Sequence, residues 1–438
     1  MRYPATMTEQ PNSINFEHFG LDNQLLASLK KCGYQQATAI QSKTIPVALT
    51  GRDLLANAKT GSGKTAAFAL PLLQQHLDRT AKAGDQTKQG NQIDALILVP
   101  TRELALQISE SIQQYAQEMS QPPKIIAVFG GVKTNPQMMA LRGGADILVA
   151  TPGRLLDLIA SNALSLAKLH TLVLDEADKL LNLGFHEELN NILKNVPSTR
   201  QNLLFSATFP EPLRQLIKQL LNDPVEINVE NLHPESQIKQ RVITVNKEQK
   251  NALLIHLIKE EQWPKILIFC SAKNSCNRLL GKLKKAGIAG AAFHGDLSQG
   301  ARNKALQAFK QGEINVLIAT DVAARGIDIE RLPCVINFEL PRSPNDYIHR
   351  IGRTGRADES GLALSLISHD EYHHFKVIEK RIKQRLPREQ ITDFEADNEA
   401  PEGSQSKAKA KPAGQGKKHR KSEEIPQINA HIWGKRRS

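Results

Sequence analysis

The chain has 438 residues, 40% of them hydrophobic, enough for two or three domains that each bury a core. No apolar run approaches the roughly 20 residues that span a bilayer, and the first residues lack the apolar segment of a secretory leader, so neither a membrane nor a secreted protein is expected. With 57 Lys+Arg against 45 Asp+Glu, the formal charge is +12, a balance common in nucleic-acid binders but not confined to them.

Residues 1–15 carry no pattern and read as a flexible N-terminus. In 22–31, Leu25, Leu26 and Leu29 fall at helical spacing and predict a packing helix. A mostly apolar run at 53–57 then leads into Ala58-Lys-Thr-Gly-Ser-Gly-Lys-Thr65. Thr60, Gly61, Ser62 and Gly63 give small residues whose backbone N–H groups can close round a phosphate. Lys64 neutralises its charge, and the Thr65 hydroxyl suits Mg²⁺. Strands are predicted near 94–99, 124–128, 146–149, 171–174 and 201–205, with helices such as 64–77 and 102–118 between them and a polar surface loop at 79–92. This alternation implies a doubly wound, mainly parallel sheet.

The strand at 171–174 ends in Asp175-Glu-Ala-Asp178. Ligand chemistry in an open α/β sheet gathers at such carboxyl ends. Asp175 supplies the carboxylate a hard cation needs, and Glu176 can position or deprotonate an attacking water. Together with the glycine-rich loop, this points to nucleoside-triphosphate hydrolysis.

Residues 226–240 are polar and broken by proline, and read as a linker. A second α/β domain follows over 241–392, with strands near 241–245, 266–269, 290–293, 315–319, 334–337 and 361–367 and a closing helix at 370–385. No phosphate loop recurs in it, so its motifs must act across an interface. His349, Arg350, Arg353 and Arg356 share one short segment with Gly352 and Gly355. Each glycine would cost roughly 1 kcal/mol in a helix interior, and close approach of backbone to phosphate accounts for them. Arg353 and Arg356 read as arginine fingers that meet a γ-phosphate when the domains close. From 393 to 438 the composition shifts to Ala, Gly, Lys, Ser and Pro, predicting a disordered basic tail that either tethers RNA or keeps the chain soluble. The four cysteines, Cys32, Cys270, Cys276 and Cys334, show no metal-ligand pairing and suit a reducing cytoplasm.

Residues 58–65, 175–178, 206–208 and 319–329 (with Asp321, Arg325, Gly326 and Asp328), together with 349–356, resemble in order the motifs of the DEAD-box RNA helicases. The resemblance runs from about 16 to about 386. Ala58 replaces the glycine of the generic phosphate loop, as is common in that family. The resemblance implies two RecA-like domains, at 16–225 and 241–392, that hydrolyse ATP with Mg²⁺ and remodel short RNA duplexes and RNA–protein complexes with little sequence specificity. It further implies that Gln41 reads adenine beside Phe16 and Tyr34. Asp328 would meet the ribose, and Arg102, Gly131, Thr151, Arg154 and Thr320 the RNA backbone. Asp178, Ser206, Thr208, His349 and Arg350 would couple hydrolysis to strand separation. By the same resemblance, His294, Asp296 and Arg302 lie near RNA. Ala37 stands where the family usually has proline. From the residues, Ser206 to Thr208 also read as a helix cap ahead of Pro210. A DNA motor and a non-enzymatic RNA clamp are the alternative readings.

Overall fold

Short apolar runs buried on both faces build two parallel sheets. The computed structural model describes residues 14–58, 61–83, 90–229, 238–324, 329, 332–355 and 361–397. Thr60, Arg325, Gly326, Asp328, Arg356, the chain before Ile14 and the basic segment after Asp397 lie outside the described residues.

The first sheet comprises β1 (Leu54–Asn57), β2 (Ile93–Leu98), β3 (Ile125–Val128), β4 (Ala145–Ala150), β5 (Thr171–Leu174), β6 (Gln201–Ser206) and β7 (Val225–Asn228). Its order is β3-β4-β2-β5-β6-β1-β7, parallel throughout. Successive residues point to opposite faces: Ala95 and Ile97 enter one core layer, Leu96 and Leu98 the other. Burial on both faces is why these strands read as continuous apolar runs.

The second sheet comprises β8 (Ile238–Thr244), β9 (Ile266–Cys270), β10 (Gly290–Phe293), β11 (Val316–Thr320), β12 (Cys334–Asn337), β13 (Gly361–Ile367) and β14 (Arg388–Glu389). Its order, β10-β11-β9-β12-β13-β8-β14, repeats that of the first sheet strand for strand. It too is parallel, and the two-domain doubly wound fold expected from the sequence is present.

Several boundaries differ from expectation. Val225–Asn228 pairs with β1 and Ile238–Thr244 with β13, so both ends of the expected linker 226–240 belong to sheets. The helix expected at 64–77 runs Lys64–Ala83, into the predicted loop. The predicted tail starts too early: Phe394 packs on the second core beside His256, and Asp397 bonds Asn246. The cap of Glu211–Leu220 is Pro210, not Ser206 or Thr208. Among the described residues, no helix is long and apolar enough to cross a membrane.

Candidate active site

Strand order places β1, β6 and β5 side by side, so segments more than a hundred residues apart in the chain end at one edge. After β1, Gly63 adopts φ +95°, a left-handed backbone at which a Cβ would also sit 2.5 Å from Gln41 Nε2. Lys64 opens the helix Lys64–Ala83, and its buried Nζ lies 3.8 Å from Asp175 Oδ1. Gly61, Ser62 and Thr65 flank it, half-buried or exposed. The Asp175 amide donates to Leu98 O (3.0 Å), extending the ladder one residue past β5. Glu176 then turns left-handed (φ 52°, ψ 47°), a backbone state that costs about 1–3 kcal/mol in a non-glycine residue.

The charges there are buried and interlocked. Lys179 Nζ lies 2.6 Å from Glu176 Oε1, both side chains only 4% exposed, while Glu176 Oε2 has no hydrogen-bond partner among the described residues. Burial works to raise the Glu176 carboxyl, but Lys179 and then Lys64 outweigh it and hold it down to about 2. Burial pushes the Asp175 carboxyl up, against the pull of Lys64. Thr208 Oγ1 donates to Asp178 Oδ2 (2.6 Å), and Ser206 Oγ donates to Thr208 O (2.7 Å), which ties the end of β6 to the acidic segment.

Gln41 departs from expectation. It is 1% exposed and its amide is committed within the protein: Oε1 accepts from Thr38 N (2.9 Å) and Nε2 donates to Gly63 O (3.1 Å). Thr38 Oγ1 donates to Ser62 O (2.8 Å). This segment therefore clamps the phosphate loop and does not turn its amide toward an open pocket. Phe16 is likewise buried, edge-on to Phe19 and Tyr34, whose hydroxyl meets that of Tyr115 at 2.9 Å.

Four of the residues expected to contact a sugar–phosphate backbone surround one loop, 129–132. Gln137 clamps it from both sides through Phe129 N and Phe129 O. Gly131 has φ +80°, and a Cβ there would fall 2.2 Å from Arg102 Nη1. Arg154 Nη2 donates to Val132 O (2.9 Å), and its Nη1 is buried without a partner among the described residues. Thr151 N donates to Val128 O (3.1 Å), and Thr151 caps Pro152–Ala160. Thr320 ends β11, half-buried, in the second domain.

The second domain meets this edge. Arg302 Nη2 lies 2.7 Å from Glu103 Oε1 of the first domain, with Arg302 buried and the Glu103 side chain 9% exposed. The expected neighbours of Arg302 differ: His294 Nε2 bonds Asn277 Oδ1 (3.0 Å), and Asp296 pairs with Lys273. His349 sits within electrostatic reach of Lys179, Asp178 and Glu176, and burial, reinforced by Lys179, lowers its ring to about 4. The buried Arg353 acts on Glu176 and Lys179 from the same side. Arg350, expected to join the acidic cluster, stays within its own domain. Its guanidinium makes a two-pronged bond to Asp321 (2.6 and 2.7 Å), donates to Asn337 Oδ1 and Glu339 O, and lies over Phe269. Gly352 ends the helix Pro344–Ile351 at φ −67°, a backbone open to any residue, and a Cβ there would lie 3.2 Å from Ile348 O.

Residues 38–216 match the family model of DEAD/DEAH box helicases, and 249–358 that of the helicase conserved C-terminal domain. The ATP-dependent RNA helicase CshA of Listeria monocytogenes is 39% identical over 372 residues, 85% of this chain and 69% of that protein. CshA of Bacillus subtilis is 38% identical over 377 residues, 86% of this chain and 74% of that one. The chain belongs to the DEAD-box ATP-dependent RNA helicases. Saccharomyces cerevisiae Dbp5 bound to RNA and ADP BeF3 is a structural neighbour of this helicase at TM-score 0.75 and 31% identity, covering 86% of this chain and 96% of that one. Mss116 bound to ssRNA and UDP-BeF follows at TM-score 0.74 and 29% identity, covering 86% and 79%. A Dbp5 variant bound to Nup159, Gle1, IP6 and ADP gives 0.58 at 29% identity, covering 85% of this chain and 96% of that one.

Two residues of the helicase site were not singled out in the sequence. Neither Glu103 nor Lys179 carries a clear mark of its partner in the sequence, and only the folded chain shows each set against an opposite charge. The one available signal was the spacing of Glu176 and Lys179, three apart at a helix start.

Proposed function

We propose that the cleft between the two domains hydrolyses ATP on RNA and uses the closure this requires to pry short duplexes apart. ATP phosphates sit on Gly61, Ser62, Gly63 and Lys64. Thr65 and Asp175 fit Mg²⁺, since both are hard oxygen donors and Asp175 is a buried carboxylate in need of positive charge. Two protein ligands are too few to hold the ion alone, so the triphosphate brings the remaining oxygens; when bound, the ion neutralises charge on the transferred phosphoryl group. Glu176 orients water for in-line attack, and Arg353 approaches the γ-phosphate from the second domain.

Arg102, Gly131, Thr151, Arg154 and Thr320 take the RNA backbone, which gives positioning with little sequence reading. Asp178, Thr208, Ser206 and His349 carry closure between the two sites. Arg350 shapes the second domain's edge through Asp321. ATP and RNA each need both domains, so each relieves the other of part of the ordering cost and binding is cooperative. Four free cysteines support work in a reducing cytoplasm.

The observation that carries this reading is Glu176 Oε2, an acceptor left open in a buried cleft beside Lys64 and Asp175. Glu176→Gln should keep ATP binding and RNA-dependent closure while steady-state turnover falls by roughly 10²–10⁴, the scale of a lost general base. Near-normal turnover would remove the assignment.

A further inference from the structure

Lys179 is a buried cation beside the acidic segment. It stands in the six-residue helix Ala177–Asn182, which starts directly after Glu176. Its side chain is 4% exposed, and burial lowers its ammonium below the ordinary lysine range. Stability alone would favour an apolar side chain in such a place, because a buried ion pair seldom repays its desolvation. What Lys179 gains is one contact, 2.6 Å to Glu176 Oε1. The left-handed turn at Glu176 lets a residue three positions later fold back over it.

We propose that Lys179 is a positioning residue for hydrolysis: it pins one oxygen of Glu176 so that the other faces the attacking water. The surroundings fit this division of labour. Glu176 Oε1 is occupied by Lys179, and Oε2 has no hydrogen-bond partner among the described residues. Lys64 and Arg353 bring further positive charge to bear on Glu176. Held by Lys179, Glu176 stays on the water. A glutamate freed from its one anchor samples several rotamers, and misplacement by about 1 Å costs on the order of 10² in rate.

The inference rests on Glu176 acting on water, and the test separates the two claims. RNA-stimulated ATPase is measured for Lys179→Met, Lys179→Arg, Glu176→Gln and the double variant Lys179→Met/Glu176→Gln, beside the affinity of each for a fluorescent ATP analogue. Lys179→Met should lower kcat by roughly 10- to 100-fold with KM for ATP and analogue affinity unchanged. Lys179→Arg should recover part of kcat. In the Glu176→Gln background, Lys179→Met should change nothing more, since residues acting as a unit are not additive. If Lys179→Met loses the wild-type unfolding transition, Lys179→Gln carries the same comparison. An unchanged or raised kcat, or an equal fall in both backgrounds, overturns the role of Lys179. Near-normal turnover in Glu176→Gln alone would instead remove the reading beneath it.

Discussion

Lys64 and Lys250 occupy the same place in two sheets of one strand order: each opens the helix that follows its sheet's first strand. Their surroundings divide them. Lys64 follows a glycine at φ +95° and faces Asp175 across a cleft. Lys250 follows Asn246 to Gln249, with no glycine, and is sealed by Leu366 O (2.9 Å), Phe338 O (3.3 Å) and Glu371. The strands opposite differ in the same way. β5 is followed by Asp175-Glu176, whereas β12, its counterpart, is followed by Phe338-Glu339. Glu339 accepts from Ser271 N (2.7 Å), an internal bond. One frame therefore makes either an open, glycine-rich edge or a closed one, and a few residues past the strand ends decide which. Among the described residues, the second domain brings Arg353, His349 and Arg302 against the first.

Within this contrast, the largest expected effect lies at the two lysines. Lys64→Ala should cut turnover by roughly 10²–10³, the scale of a removed charge-stabilising donor, with little change in the unfolding midpoint. Lys250→Ala should cost about 1–3 kcal/mol of stability, because two buried carbonyls lose their donor. In conditions where that variant is folded, its turnover should be near wild type. Comparable catalytic loss in both, measured by ATPase assay and denaturant unfolding, would break the contrast between an active and a sealed edge.

Arg302→Ala tests how the second domain leans. Removing Arg302 leaves the Glu103 carboxylate without its counter-charge, at a cost reduced where the carboxylate regains water on opening. The RNA concentration for half-maximal ATPase should therefore rise by roughly tenfold, while maximal turnover at saturating RNA changes little. An unchanged RNA titration would mean that the Arg302–Glu103 pair does not help hold the domains together.

A smaller effect is expected at the clamp on the phosphate loop. Gln41→Ala loses the bonds to Thr38 N and Gly63 O, so ATP and GTP should both bind several-fold more weakly, in the same proportion. A loss confined to ATP, in competition binding of the two nucleotides, would return Gln41 to reading the base.

Much of this arrangement was legible in the sequence because central strands are buried on both faces. Residues 53–57, 171–174 and 334–337 read as strands for that reason, and their ends carried the motifs. The edges were less legible. β7 and β14 are short, and residues 226–228 read as linker because nothing local marks their pairing with β1. The helix from Lys64 was cut short for the same reason, since its last turns are polar and half-exposed. Phe394 looked like part of a tail because its partner, His256, lies far off in the chain. Among site residues, Asp175, Glu176 and Lys64 declared themselves by type and spacing. The buried pairings of Lys179, Arg302 and Arg350 did not, because a charge's partner is set by tertiary packing and not by its neighbours in sequence.

The central claim is that catalysis needs a group delivered by the second domain to a nucleotide held by the first. RNA-stimulated ATPase of Arg353→Ala in the full chain, beside its affinity for a non-hydrolysable ATP analogue, tests this most directly. The account predicts unchanged analogue affinity in the absence of RNA and turnover at saturating RNA lowered by roughly 10³ or more, the scale of a lost arginine finger. RNA-stimulated turnover equal to that of the wild type would contradict it.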